Sequence, residues 1–221
     1  MLFVLSFRLS FASVLHTWHW LDGHRTEVSC LEAATAEALK AGYRHLDVAE
    51  GYTTGTFVKN AVASSGVARE ELWVTGKLTG LPCESSFEDT KQRAAALLGR
   101  LGLEYFDLLL MHFPGPSHMD VGAPPSDQKS VATAAFCREN MAVAWANMLR
   151  LLDAGMCRRI GVSNFYPFHI DLLLKVAKDT AVPVPFANQV GRDRCESVHA
   201  QARVRVRFCL SNAAIPLHVT R

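Results

Sequence analysis

At 221 residues the chain can form one large domain or two small ones, and its 49% hydrophobic and 20% charged content excludes an intrinsically disordered polypeptide. The net charge of +2 hides a division: from residue 191 onward six arginines face Asp193 and Glu196, a net +4, so residues 1 to 190 carry −2. Basic character confined to the tail gives no reason to expect a nucleic-acid partner.

The opening stretch MLFVLSFRLSFASVLHTW is apolar but is interrupted by Arg8, which argues against a signal peptide. Nowhere does the chain reach the run of about 18 apolar residues that a membrane span requires. Six cysteines, at 30, 83, 137, 157, 195 and 209, form no CxxC pair and have no histidine at metal-ligand spacing. They read as reduced thiols of a cytoplasmic protein with no metal site.

Short β-rich or apolar runs follow at RHLDV (44–48), LWVTGK (72–77), FDLLLMH (106–112), RRIGVS (158–163) and PFANQV (185–190). Between them lie segments with helical spacing: VSCLEAATAEALKAG, TGTFVKNAVASSG, SFEDTKQRAAALLGRLG, ATAAFCRENMAVAWANMLRLLDAG and PFHIDLLLKVAKD. Several stop on Gly42, Gly66, Gly102 or Gly155, where a helix end favours a residue tolerant of positive φ. This alternation predicts βαβ units with a parallel sheet, hence the α/β class. An open nucleotide-binding sheet usually carries a glycine fingerprint, and no GxGxxG or GxxxxGK[ST] is present. A barrel instead demands polar groups at the C-terminal ends of several strands. The predicted strands end on Asp47, Lys77, His112, Ser163 with Asn164, and Gln189.

Each of these residues taken singly has an ordinary structural role, as a cap, a solvated loop side chain or a strand-end amide. Their joint placement at one barrel mouth points to chemistry. Tyr52 follows Asp47 in the loop leaving the same strand. An ordinary tyrosine holds its proton to about pH 10; the Lys77 ammonium is expected to lower that value, with Asp47 keeping Lys77 charged. His112 is expected to donate or relay a hydrogen bond to the same oxygen. A carbonyl group among these donors would be polarised and open to hydride at its carbon. Because no side chain supplies hydride, a nicotinamide or flavin is implied. Ser163, Asn164 and Gln189 are groups suited to holding a carboxamide.

The segments GYRHLDVAEGY (42–52), SGVAREELWVTGKL (65–78), LGLEYFDLLLMHFP (101–114), AGMCRRIGVSNF (154–165) and FANQV (186–190) resemble, in order and spacing, the motifs of the aldo-keto reductases over residues 29 to about 190. The resemblance implies a (β/α)8 TIM-barrel fold and NADPH-dependent reduction of aldehydes and ketones to alcohols. It carries Asp47, Tyr52, Lys77 and His112 onto the family's catalytic tetrad, with Tyr52 the general acid. Ser163, Asn164 and Gln189, together with Asp47, fall on the cofactor-binding positions.

The chain also departs from the pattern. Leu15 and His16 stand in the first strand where small residues are usual, Thr54 and Gly55 replace an Asn-Glu pair, and Thr79 stands where a tryptophan is common. After NQV the family's last two βα units are not recognisable, so the expectation is an incomplete barrel of about six βα units at 1–190 and a divergent basic tail at 191–221. The segment ARVRVRF in that tail can be read as an edge strand standing in for strand seven, although an unrelated or disordered end is the favoured expectation. Two functions follow: a reductase acting on a small carbonyl substrate, or a catalytically impaired relative that binds a partner without turnover. The sequence assigns neither the substrate nor an oligomeric state.

Overall fold

A computed structural model of the chain describes residues 14–16, 29–79, 86–114, 128–180, 183–190 and 207–210. The apolar residues 1–13 and most of the basic tail lie outside the described residues. Seven strands appear in chain order: β1 (Val14–His16), β2 (His45–Asp47), β3 (Trp73–Leu78), β4 (Leu108–Met111), β5 (Ile160–Ser163), β6 (Ala187–Val190) and β7 (Arg207–Leu210). Five α-helices alternate with them: α1 (Ser29–Lys40), α2 (Gly55–Ser65), α3 (Phe87–Leu101), α4 (Gln128–Asp153) and α5 (Pro167–Thr180). Every neighbouring strand pair is parallel and the spatial order is the sequence order. Such an arrangement arises when each crossover returns through a helix on the same side of the sheet.

Local sequence explains the helix ends. Ser86 accepts a hydrogen bond from the Asp89 N–H while the Asp89 carboxylate accepts one from the Ser86 N–H, a reciprocal cap that starts α3. The glycines at 42, 66, 102 and 155 all have positive φ, between 66° and 95°, as the sequence predicts. At Gly102 the N–H folds back onto the carbonyls of Leu98 and Gly99, closing α3.

All four residues of β4 are buried, because the strand has a core on each side. Leu109 and Met111 join the main core against the helices, with Phe106, Trp145, Met148 and Ile160. Leu108 and Leu110 face inward and pack with Ala187, Trp73 and Phe186. The sheet is curled rather than flat. β2 and β6 are separated by three strands, and four inter-strand steps in a flat sheet would span about 19 Å. Yet Gln189 Nε2 on β6 donates to Asp47 Oδ2 on β2 at 2.6 Å. An incomplete parallel barrel is the fold that the sequence predicts.

The tail corrects one expectation. Arg207–Leu210 pairs in parallel register with Ala187–Val190, so a strand of the sheet stands where an unrelated end was expected; residues 202–206 of the ARVRVRF stretch lie outside the described residues. A strand edge left by β6 offers unpaired N–H and C=O groups, to which another strand can add. Among the described residues no helix is long and apolar enough to cross a membrane, and no group of three or more His, Cys, Asp or Glu side chains is placed to hold a metal ion.

Candidate active site

Side chains alternate along a strand, so the inward parity set by Leu108 and Leu110 continues to His112. The same parity runs through His45 to Asp47, through Thr75 to Lys77, through Gly161 to Ser163 and through Ala187 to Gln189. At the C-terminal edge of the curled sheet these inward positions switch from packing residues to polar ones.

Asp47 and Lys77 form a buried ion pair, with side-chain exposures of 0% and 3%. The Lys77 ammonium donates to Asp47 Oδ1, and Gln189 occupies the other carboxylate oxygen. A buried charge pair persists where its remaining lone pairs are also satisfied. Tyr52 sits in the loop after β2, which turns back through a hydrogen bond from its N–H to the Ala49 carbonyl at 3.0 Å. This brings its hydroxyl to 3.4 Å from Lys77 Nζ. One ammonium thus joins a carboxylate to a phenol.

The electrostatics correct the sequence expectation for Tyr52. Burial raises its pKa above the ordinary value of 10.0; Lys77 pulls it down, but Asp47 on the far side of Lys77 pushes it up again, and the net direction is upward. The phenol is therefore fully protonated near neutral pH. The sequence shows the lysine but not the desolvation, which depends on packing.

The His112 ring stands edge-on to Tyr52, with centroids 6.0 Å apart, and stacks on Phe113 at 4.4 Å. No direct hydrogen bond joins it to the Tyr52 hydroxyl. Its Nδ1 lies 3.2 Å from Thr79 Oγ1. Burial, reinforced by the Lys77 charge, pushes the His112 pKa down to about 4, so the imidazole is neutral at physiological pH.

Ser163, Asn164 and Gln189 form one hydrogen-bonded patch. Ser163 Oγ donates to the Gln189 carbonyl at 2.9 Å, and Asn164 Nδ2 donates to the His112 carbonyl at 2.9 Å and to Ser163 Oγ at 3.2 Å. Asn164 has a φ of 60°, a conformation asparagine tolerates better than most residues. Asn188 holds the adjoining loop: its Nδ2 donates to the Phe165 carbonyl at 2.9 Å and its Oδ1 accepts from the Phe165 N–H at 3.4 Å. The amide oxygens of Asn164 and Gln189 have no hydrogen-bond partner among the described residues, which leaves two acceptors suited to a carboxamide NH₂.

All seven predicted site residues therefore lie at one mouth of the sheet. Sequence reasoning missed Glu50, Arg93 and Asn188 and noted Thr79 only as a departure from the family pattern. Glu50, lying between Asp47 and Tyr52 in one short loop, was the readable signal. Burial pushes its pKa up, but the Arg93 hydrogen bonds and charge outweigh that and hold the carboxyl below its ordinary value.

Comparison with known proteins identifies the family of the chain. Residues 15–217 match the model of the Aldo/keto reductase family. The chain is similar to an aldo-keto reductase of Mycolicibacterium smegmatis, 34% identical over 75% of this chain and 51% of that protein. An aldehyde reductase of Saccharomyces cerevisiae is 36% identical over 69% of this chain and 49% of its own. A solved Bombyx mori aldo-keto reductase, in complex with NADP, superposes with a TM-score of 0.62 at 29% identity, covering 81% of this chain and 54% of that one. The chain spans about half the length of the curated relatives it matches. On the extent of the family match and the ordered motifs within it, this chain belongs to the aldo/keto reductase family.

Proposed function

We propose that the chain carries the site of an NADPH-dependent reductase that converts small aldehydes and ketones to alcohols, in the cytoplasm. The observation that carries the reading is the Lys77 ammonium, buried between the Asp47 carboxylate and the Tyr52 hydroxyl.

In this reading Tyr52 is the general acid. Its raised pKa keeps the proton on the phenol until negative charge develops on the substrate oxygen. Lys77 stabilises the phenolate left behind, and the buried ion pair with Asp47 holds Lys77 oriented toward it. Neutral His112 offers a hydrogen bond to the substrate oxygen and helps orient the carbonyl. Ser163, Asn164 and Gln189 would hold the nicotinamide carboxamide, for which the two open amide oxygens are suited, with Asp47 below them. When bound, the cofactor supplies the hydride, chemistry that no side chain performs.

A second reading is favoured by the same patch. The Ser163 hydroxyl and the Asn164 amide hydrogens are already donated within the protein, which suits a site closed upon itself, and so a catalytically impaired relative that binds a partner. NADPH titration by fluorescence, followed by its oxidation in the presence of a reactive aldehyde, separates the two. The reductase reading expects micromolar affinity and turnover, with Tyr52→Phe reducing kcat about 10²- to 10⁴-fold. Absence of NADPH binding would leave the second reading, and full turnover in the phenylalanine variant would remove Tyr52 as the acid.

A further inference from the structure

The Glu50–Arg93 pair is not explained by the chemistry above, and its geometry centres on one residue. Arg93 Nε donates to Glu50 Oε1 at 2.8 Å and Nη2 to Oε2 at 2.5 Å, a two-pronged pairing with fixed geometry. Both ions also grip the backbone of Thr79: Glu50 Oε2 accepts from the Thr79 N–H at 3.1 Å, and Arg93 Nη2 donates to the Thr79 carbonyl. Glu50 is tied down as well, its N–H donating to the Lys77 carbonyl at 2.9 Å and its carbonyl accepting from Arg100 Nη2 at 2.8 Å. The residue just beyond β3 is thus clamped from α3 and from the loop that carries Tyr52.

The clamped residue presents its hydroxyl to His112 Nδ1 at 3.2 Å. A hydroxyl can donate or accept at this distance, so the tautomer of the ring and the direction of this hydrogen bond are set together. A neutral imidazole carries one proton, and the hydrogen bond made at one nitrogen decides which nitrogen bears it. We propose that Thr79, held by the Glu50–Arg93 ion pair, is a positioning residue that donates its hydroxyl to His112 Nδ1 and thereby fixes the Nε2-protonated tautomer. The proposal rests on the reading of His112 as a donor toward the substrate oxygen, a role that requires a proton on Nε2. A bare hydrophobic side chain at 79 would leave the tautomer to exchange.

The test is a long-range ¹H–¹⁵N spectrum of the full chain labelled on histidine, with the His112 signals assigned by their loss in His112→Gln. The wild type is expected to show a single neutral Nε2–H tautomer for His112. Thr79→Val, which keeps the shape and removes the hydroxyl, is expected to shift both His112 nitrogens toward a tautomer average; Arg93→Met moves them in the same direction, and Thr79→Ser restores the wild-type pattern. An unchanged spectrum in Thr79→Val, or a serine variant that behaves like valine, overturns the proposal. In the turnover assay Thr79→Val is expected to lower kcat about tenfold with KM little altered. A wild-type chain without turnover would defeat the reductase reading, while the nitrogen shifts would still decide the role of Thr79.

Discussion

Neutralising Asp47 as Asp47→Asn leaves an acceptor for Gln189 but strands the Lys77 ammonium, whose side chain is only 3% exposed. Breaking a buried pair by removing one partner costs about 3–5 kcal/mol. For a chain of this size each kcal/mol is worth about 2–4 °C in Tm, so the single variant should melt about 6–20 °C below wild type. Lys77→Met strands the carboxylate instead and should lose a similar amount. The double variant removes both charges while retaining the contact to Gln189, and replacing a buried pair by neutral groups is often close to neutral. It should therefore recover most of the loss, with a coupling of at least about 2 kcal/mol in a double-mutant cycle. Urea unfolding at neutral pH, followed by circular dichroism, measures all four corners. Additive losses in the double variant would refute the argument that the two charges are buried for each other.

Two further outcomes follow from packing and titration. His112 and His169 are both held neutral by burial, each with a pKa pushed down to about 4. As pH falls below the unfolded value of about 6.5, the unfolded chain takes up protons that the fold refuses; stability is full above that value and declines toward pH 4, and replacing both histidines by glutamine should flatten urea-midpoint curves in this window. Gly161→Ala would place a Cβ 2.6 Å from the Ala187 carbonyl oxygen and 2.9 Å from Leu110 Cδ2, so a loss of about 1–3 kcal/mol is expected in the same unfolding assay; an unchanged midpoint would mean that β5 and β6 can separate without penalty.

Much of this architecture is readable from sequence for identifiable reasons. A parallel strand buried on both faces appears as an unbroken apolar run, and Leu108 to Met111 is such a run. The polar residue that ends each run marks the strand's C-terminal edge, so Asp47, Lys77, His112, Ser163 and Gln189 could be grouped before any coordinates. The Glu50–Arg93 clamp could not, since its members lie 43 residues apart and Arg93 on α3 looks like any solvated helix arginine. The direction of the Tyr52 shift was hidden too, because burial competes with two charges of opposite sign. In the tail the sequence suited either a strand or an unstructured end, and it is the β6 edge that takes up Arg207–Leu210 as a strand.

The hydrogen bond between Asp47 and Gln189 spans 142 residues of chain, and this imposes an order on assembly. Strands β2 and β3 are close in sequence and can pair early, whereas the bond from β6 requires closure of a long loop, a slow step in folding. Until that step the carboxylate is satisfied on one side only and open to water on the other. The complete set of partners of Asp47, and with it the fixed seat of the Lys77 ammonium beside the phenol, is thus a property of the finished curl rather than of the first strand pairs.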